Sequence, residues 1–220
     1  MIPLPAKHGF LALTIVSVWP VWSGAQSAVT PLPGDLAMIV ASSTGNLPAL
    51  KRLFEHGLDV DHHDFTGNTP LIYAARYARV EMVNYLLRHG ADVNAASHWG
   101  TTALKEAVRK GSLPVTQALL NAGADVDQTD IHHETPLFDA VRYRRLWAVD
   151  LLLERNAHVA VRNDQGRTPL AYAVEQHQPR ILVLLRQRLA RIEASSAIDM
   201  ARVSDDGREG PLVPIVSAAP

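Results

Sequence analysis

A short triplet that begins with threonine and ends with leucine recurs in this chain, each copy 33 residues after the previous one. The copies are Thr69-Pro70-Leu71, Thr102-Ala103-Leu104, Thr135-Pro136-Leu137 and Thr168-Pro169-Leu170. The same period places Gly57, Gly90, Gly123 and Asn156 ahead of the triplets. A period of this length indicates that one small unit of secondary structure is repeated. Such units bury enough apolar surface only by stacking on one another.

The residue types at these positions predict two helices in each unit. Threonine is a favoured helix N-cap and proline is favoured at the first helical position, so each triplet predicts the start of a first helix. Glycine, and next asparagine, accepts the left-handed conformation that ends a helix, so it predicts the end of the second. Between them lie small pairs on the first helix (Ala74-Ala75, Ala107-Val108, Ala140-Val141, Ala173-Val174) and bulky pairs on the second (Leu53-Phe54, Leu86-Leu87, Leu119-Leu120, Leu152-Leu153). We expect these pairs to form one continuous core.

Taken together, these residues resemble the ankyrin repeat over about Gly34 to Arg191. The resemblance implies an all-α solenoid of about five 33-residue helix-turn-helix repeats with β-hairpin-like turns. The predicted repeats are 34–63, 64–96, 97–129, 130–162 and 163–192. The first lacks the threonine start, and the fifth places Arg186, Arg188 and Arg191 on its second helix, so we expect these two to cap the stack.

The chain departs from the family pattern at two positions of the repeat. The histidine that usually follows the triplet and ties adjacent turns is replaced by Ile72, Lys105, Phe138 and Ala171, which predicts less rigid turns. The glycine between the helices is kept at Gly45 and Gly111 but becomes Ala78, Arg144 and His177. A left-handed residue other than glycine costs about 1–2 kcal/mol, so softer fourth and fifth repeats are expected.

Both ends of the chain differ from the repeats. Residues 1–25 combine Lys7, an apolar run over 10–22 and Ser23-Gly24-Ala25, which predicts a cleaved signal peptide, with a permanent membrane anchor as the weaker alternative. Residues 26–33 are predicted as a linker, and 193–220 as a flexible tail. Export predicts a periplasmic protein of a Gram-negative bacterium, with an extracellular location as the alternative.

Composition and motifs exclude several classes of function. The net charge of −1 argues against nucleic-acid binding, and the absence of cysteine excludes disulfides and thiolate chemistry. No phosphate loop, zinc-protease motif or other catalytic set is present, so we predict no enzyme activity and no cofactor. Several histidines lie near predicted turn tips, but only a neighbouring pair such as His98 and His132 could share a metal, and a third ligand is hard to find. No metal site is predicted.

The resemblance implies protein binding through the turn tips and the exposed side of the first helices. In this sequence those positions are Phe65, His98, Trp99, Ile131 and His132 on the turns, and Arg76, Tyr77, Arg109, Lys110, Arg142 and Tyr143 on the helices. Aromatic residues and arginines dominate binding hot spots. The cations, with Arg144, predict a locally basic strip that prefers an acidic partner surface. Alternatively, the apolar residues pack locally and the arginines only keep the face soluble.

Three hypotheses for the partner follow from the resemblance to exported bacterial ankyrin proteins. The first is an envelope protein that this chain supports, such as a catalase-like enzyme in oxidative stress. The second is a toxic enzyme that the chain masks as an inhibitor or immunity protein, and the third is a host protein bound by a secreted effector. The free protein is expected to be a monomer. Trp147 is predicted as core filler, with an outer contact as its alternative.

Overall fold

The computed structural model describes residues 34–205, which form ten α-helices. The predicted signal peptide (1–25), the predicted linker (26–33) and residues 206–220 of the predicted tail lie outside the described residues. In chain order the helices are α1 Gly34–Thr44, α2 Leu47–Glu55, α3 Pro70–Arg76, α4 Val80–Arg88, α5 Ala103–Lys110, α6 Leu113–Asn121, α7 Pro136–Arg142, α8 Leu146–Glu154, α9 Pro169–Glu175 and α10 Pro179–Asp205.

The helices pack as two layers of stacked pairs. The first helices form one layer, in which α1 packs on α3, α3 on α5, α5 on α7 and α7 on α9. The second helices form the other layer, where α4 packs on α6 and α8 on α10. Each first helix also packs on the second helix of its own repeat. The predicted all-α repeat solenoid is therefore confirmed, with five helix pairs among the described residues.

The turns that precede the first helices are hairpin-like but contain almost no β-structure. Within residues 34–205, one isolated antiparallel bridge joins Ala96 and Thr102. Each turn is closed by a backbone hydrogen bond across five residues, from Asp64 to Asn68, Ser97 to Thr101, Asp130 to Glu134 and Asn163 to Arg167. Neighbouring turns are also joined, because His98 donates to Thr66, Ile131 to Trp99 and Asp164 to His132. The turns thus form a hydrogen-bonded ladder along one edge of the stack.

The threonine caps form in three of the four predicted helices. The hydroxyl oxygens of Thr69, Thr102 and Thr168 accept the backbone N–H three residues later, as an N-cap requires. Thr135 has the same extended backbone ahead of α7, but its buried hydroxyl oxygen makes no hydrogen bond. The predicted cap of the fourth repeat is wrong in that respect.

The predicted pairs form the core of the three inner repeats, except that Leu87 is half-buried. Leu86, Leu119 and Leu152 are fully buried on the second helices, and the small pairs of α3, α5 and α7 are buried between first helices. At the ends the prediction is less accurate, because a terminal repeat lacks one neighbour. Leu53 and Phe54 of α2 are half-buried, and Val174 of α9 is exposed.

The backbone between the two helices of a repeat is left-handed, as the repeat pattern predicts. Ala78, Arg144 and His177 have φ values of 54°, 54° and 51°, although none of them is glycine. His133 also has a positive φ, of 58°, which the repeat pattern did not predict. Ala78, Arg144 and His177 therefore have the unfavourable conformation that the repeat pattern predicts for them.

The last helix is much longer than the sequence analysis predicted. α10 continues the second helix of the fifth repeat past residue 192 to Asp205, so the tail predicted to be flexible from residue 193 begins as helix. The segment contains no glycine or proline between Arg180 and Asp206, and alanine, leucine and arginine favour helix.

Candidate functional site

The exposed apolar residues of the turns lie on three consecutive tips. Phe65, Trp99 and Ile131 are 85%, 61% and 47% exposed, and each lies between the two residues whose backbone hydrogen bond closes its turn. Histidines accompany them, since His98 and His132 are exposed on the second and third of these tips. We call these five residues the tip surface. The predicted turn residues are therefore brought to one edge of the stack, and local packing does not bury them.

A polar side chain at the base of each turn holds the tip in place. Oδ1 of Asp64 accepts hydrogen bonds from the backbone of Thr66 and Asn68, and also from the Thr66 hydroxyl. In the next three repeats, the equivalent side-chain oxygen accepts the backbone N–H groups two and four residues later. The pairs are Ser97 with residues 99 and 101, Asp130 with 132 and 134, and Asn163 with 165 and 167. Such hydrogen bonds are local Asx- or ST-type turns. They keep the apolar tips from folding back onto the stack.

Two tyrosines and a lysine lie at the ends of the first helices. Tyr77 and Tyr143 follow directly on α3 and α7, and each is 45% exposed. Lys110, the last residue of α5, is also exposed. The arginines that precede the two tyrosines connect the helix ends to the turns, because Arg76 donates to Asn68 and Arg142 to Glu134, each in the turn of its own repeat.

The arginines of the predicted site are paired with carboxylates of this chain. Arg76 lies 3.4 Å from Glu106, Arg109 lies 3.0 Å from Asp139, and Arg142 lies 2.5 Å from Glu134. The guanidinium groups of Arg76 and Arg142 also lie over the rings of Tyr73 and Tyr172, at 5.1 and 5.5 Å from the ring centroids. Each arginine is half-buried by these contacts.

A buried lysine completes this arrangement. We call the whole set the ion strip: Arg76, Lys105, Arg109, Arg142, Glu106, Asp130, Glu134 and Asp139. Four cations face four carboxylates, so the formal charges cancel. The locally basic strip predicted from the cations alone needs correction, because its arginines are paired with carboxylates. Among the predicted positions in the described chain, exposed cationic charge comes chiefly from Lys110 and Arg144.

Burial and pairing move the pKa values of this strip in different directions. Burial raises the pKa of Asp139 above its usual range, although Lys105 and Arg109 act to lower it. Burial acts the same way on Asp130, but the hydrogen bond and the charge of Lys105 outweigh it and lower the pKa of that carboxyl. For Arg142, burial is opposed by hydrogen bonds with Glu134 and Tyr172, which raise its pKa. Pairing therefore favours the charged forms of Asp130 and Arg142, whereas burial acts against the charged form of Asp139.

Two histidines of the fourth repeat's turn lie beside an aspartate of the next turn. Nδ1 of His133 lies 2.5 Å from one oxygen of Asp164, and Nδ1 of His132 lies 3.6 Å from the other. On the opposite loops, His158 pairs in the same way with Asp127. Within the part of the chain that the structure describes, no group of three or more histidines and acids is arranged to hold a metal ion. No helix in that part is long and apolar enough to cross a membrane.

Comparison with protein families matches this geometry to a known repeat. A family model described as ankyrin repeats (3 copies) matches residues 15–97 and 94–163, more than half of the chain. The chain belongs to the ankyrin-repeat family. Comparison with curated proteins gives no match. Ankyrin repeats are generally protein–protein interaction modules. The fifth helix pair of this ankyrin-repeat protein, α9 and α10, lies beyond the matched residues.

Sequence reasoning missed the acids and the lysine of the ion strip. Asp130 and Glu134 occupy turn positions, and Asp139 occupies a helix position that is tyrosine in the second and fifth repeats. Lys105 was recognised only as a departure from the family histidine. The position of Lys105 was the signal in the sequence that could have revealed these acids. The repeat register places this lysine in the core, where its charge requires carboxylate partners nearby.

Proposed function

We propose that this ankyrin-repeat protein is a non-enzymatic module that binds another protein through the tip surface and the neighbouring helix ends. The observation that carries this proposal is the exposure of Phe65, Trp99 and Ile131 on three consecutive, hydrogen-bonded turns. Large apolar side chains held rigidly in water are unfavourable for a free protein. They lose little conformational entropy when a partner covers them.

The ion strip suggests how the partner would contact the rest of this face. The side chains of Arg76 and Arg142 are 33% and 34% exposed, so they keep donor groups available while their charge is matched internally. Lys110 and His98 add exposed donors to this face, and His132 adds one that lies beside Asp164. We propose a partner surface that is apolar opposite the tips and carries acidic or other acceptor groups at its rim. Its binding should depend only weakly on salt, because few unmatched charges are involved.

We further propose that the protein is exported and that its partner resides in the cell envelope. The support is the signal-peptide pattern of residues 1–25 together with the resemblance to exported bacterial ankyrin proteins. An oxidative-stress enzyme such as a catalase is the partner that this resemblance favours. Determining the N-terminus of the mature protein tests export. An N-terminus at Gln26 supports cleavage, and retention of Lys7 would contradict the simple export model.

The binding proposal is tested by capture of envelope proteins on the purified chain lacking residues 1–25. Three forms are compared: the wild type, a Phe65→Ala/Trp99→Ala variant, and a Val183→Ala variant. Val183 is 53% exposed on α10 and serves as a matched control, because it also removes exposed apolar surface but lies away from the turns. Circular dichroism first establishes that the three forms fold equally.

We expect one partner to be retained by the wild type and by Val183→Ala, and to be lost from the double variant. Equal retention by all three forms would contradict binding through the tip surface. The identity of the partner then distinguishes the hypotheses. An oxidative-stress enzyme supports the first, an enzyme inhibited on binding indicates an immunity protein, and a host protein indicates an effector.

A further inference from the structure

Lys105 is fully buried where α5 of the third repeat meets the turn of the fourth. Its Nζ donates a 2.8 Å hydrogen bond to Oδ2 of Asp130 and another hydrogen bond to the carbonyl oxygen of Glu134. It also lies 3.4 Å from Oδ2 of Asp139. A buried ammonium group is tolerated only with such partners. Because all three partners belong to the fourth repeat, a side chain of one repeat holds the turn of the next.

The contact with Asp130 connects Lys105 to the tip surface. The second oxygen of the same carboxylate, Oδ1, accepts the backbone N–H groups of His132 at 2.9 Å and Glu134 at 3.1 Å. Ile131 and His132 therefore lie on a turn whose two ends are attached to Lys105, one through Asp130 and one through the Glu134 carbonyl. The chain of contacts runs from the core of the third repeat to the exposed tip of the fourth.

This arrangement is specific to one junction between repeats. One repeat earlier, the position of Lys105 is taken by Ile72, which is also fully buried, and the next turn is held by the neutral Ser97. One repeat later, Phe138 is buried and the next turn is held by the neutral Asn163. Lys105 thus precedes an acidic turn residue, whereas Ile72 and Phe138 precede neutral ones. At the first junction the apolar Ile39 precedes Asp64, whose Oδ2 instead accepts the Tyr73 hydroxyl of its own repeat at 2.6 Å.

We propose that Lys105 is the residue that positions the 130–134 turn, with Ile131 and His132 at its tip, for contact with the partner. This inference rests on the proposed binding function. Lys105 replaces the histidine that ankyrin repeats usually place at this position, and it ties the neighbouring turn by an ion pair. Because Lys105 is buried, it acts through the turn and does not touch the partner.

Amide hydrogen exchange tests the positioning of the turn without any partner. In Lys105→Met, exchange at the His132 and Glu134 amides should rise about tenfold or more, because their acceptor Asp130 loses its hydrogen-bonded cation and keeps only Arg109, at 3.7 Å. The amides of Trp99 and Thr101, which bond to Ser97 in the preceding turn, are the internal reference. A Leu119→Ala variant, which removes fully buried apolar surface in the third repeat, is the control for general loss of stability. It should affect both turns alike.

A second variant recreates the neutral junction found one repeat earlier. In Lys105→Ile/Asp130→Ser no unpaired charge is left at this turn, and a serine holds it as Ser97 does in its own turn. Protection of the 132 and 134 amides and retention of the partner should both return. If Lys105→Met does not fold, this double variant decides: protected amides with a retained partner support the proposal, and unprotected amides or a lost partner overturn it.

The outcomes for the single variant separate the two proposals. Selective exchange in the 130–134 turn with loss of the captured partner supports the positioning role of Lys105. A uniform rise in exchange that matches Leu119→Ala overturns that role, and so does a selective rise with full partner retention. The binding proposal itself is contradicted by a different result, namely that the Phe65→Ala/Trp99→Ala variant retains the partner.

Discussion

Replacing Gly111 with alanine should destabilise the protein for two separate reasons. Gly111 ends α5 with φ 83° and ψ 31°, a left-handed conformation that costs a residue with a Cβ about 1–2 kcal/mol. In addition, a Cβ on Gly111 would lie 2.6 Å from Cζ of Arg145, the residue that directly precedes α8 in the next repeat. The guanidinium group of Arg145 would have to move.

That movement has a cost of its own. Arg145 donates long hydrogen bonds to the carbonyl oxygens of Arg109 at 3.3 Å and Lys110 at 3.4 Å, which cap the end of α5. The site is partly exposed, and losing both bonds should cost about 1 kcal/mol. The total expected loss in the free energy of unfolding for Gly111→Ala is therefore about 2–3 kcal/mol.

A matched glycine separates the two contributions. Gly123 has φ 89°, but no neighbouring atom lies within 4 Å of the position that a Cβ would take. Gly123→Ala should therefore cost only the conformational strain of about 1–2 kcal/mol. Urea denaturation followed by circular dichroism measures both variants. In an Arg145→Ala background, Gly111→Ala should cost no more than Gly123→Ala. If the two alanine variants differ by less than about 0.3 kcal/mol in the wild-type background, the contact with Arg145 has no energetic role.

Three further predictions concern the second and fourth repeats. Burial alone would raise the pKa of Asp64, but hydrogen bonds from Tyr73, Thr66 and Asn68 outweigh it and lower that pKa to about 2. Asp64 therefore contributes stability above pH 4 that is lost as pH falls toward 2. The melting temperature should fall across this window, by an amount that corresponds to about 2 kcal/mol, and an Asp64→Asn variant should lack this component of the slope. Phe138→Ala should cost about 3–5 kcal/mol in urea denaturation because the ring is fully buried, and a cost below about 1 kcal/mol would mean that the cavity collapses. Ala78→Gly should raise the urea midpoint by the equivalent of about 0.5–1 kcal/mol, because it relieves the strain of φ 54°, and a lower midpoint would contradict that strain.

Much of the fold could be predicted because its determinants are local. The threonine–proline starts, the glycine ends and the small and bulky pairs each specify a feature of one or two helices, and the 33-residue period repeats that information. The left-handed residues Ala78, Arg144 and His177 were located by the same register. The missing cap at Thr135 and the length of α10 were not predicted, because neither depends on the repeat pattern.

The candidate site was predicted in position but not in its electrostatics. The repeat register placed Phe65, Trp99 and Ile131 at turn tips, and they are exposed there. The register gives no distance between side chains of different repeats, so the pairing of Arg76 with Glu106 and of Arg109 with Asp139 was not seen. The sequence therefore suggested free positive charges at Arg76 and Arg109. In the structure each of them is paired with a carboxylate 30 residues later in the chain.

The sequence by itself determined the repeat, the order of the helices, the buried leucines and the turn residues available to a partner. These properties follow from the period and from residue preferences within one unit. Only the tertiary structure decided that Lys105 is buried against Asp130 and that Arg145 packs over Gly111. Each of these contacts joins two repeats. The physical reason is that stacking brings together residues about 25–36 positions apart in the sequence, and their Coulomb and contact energies depend on distances that no single repeat encodes.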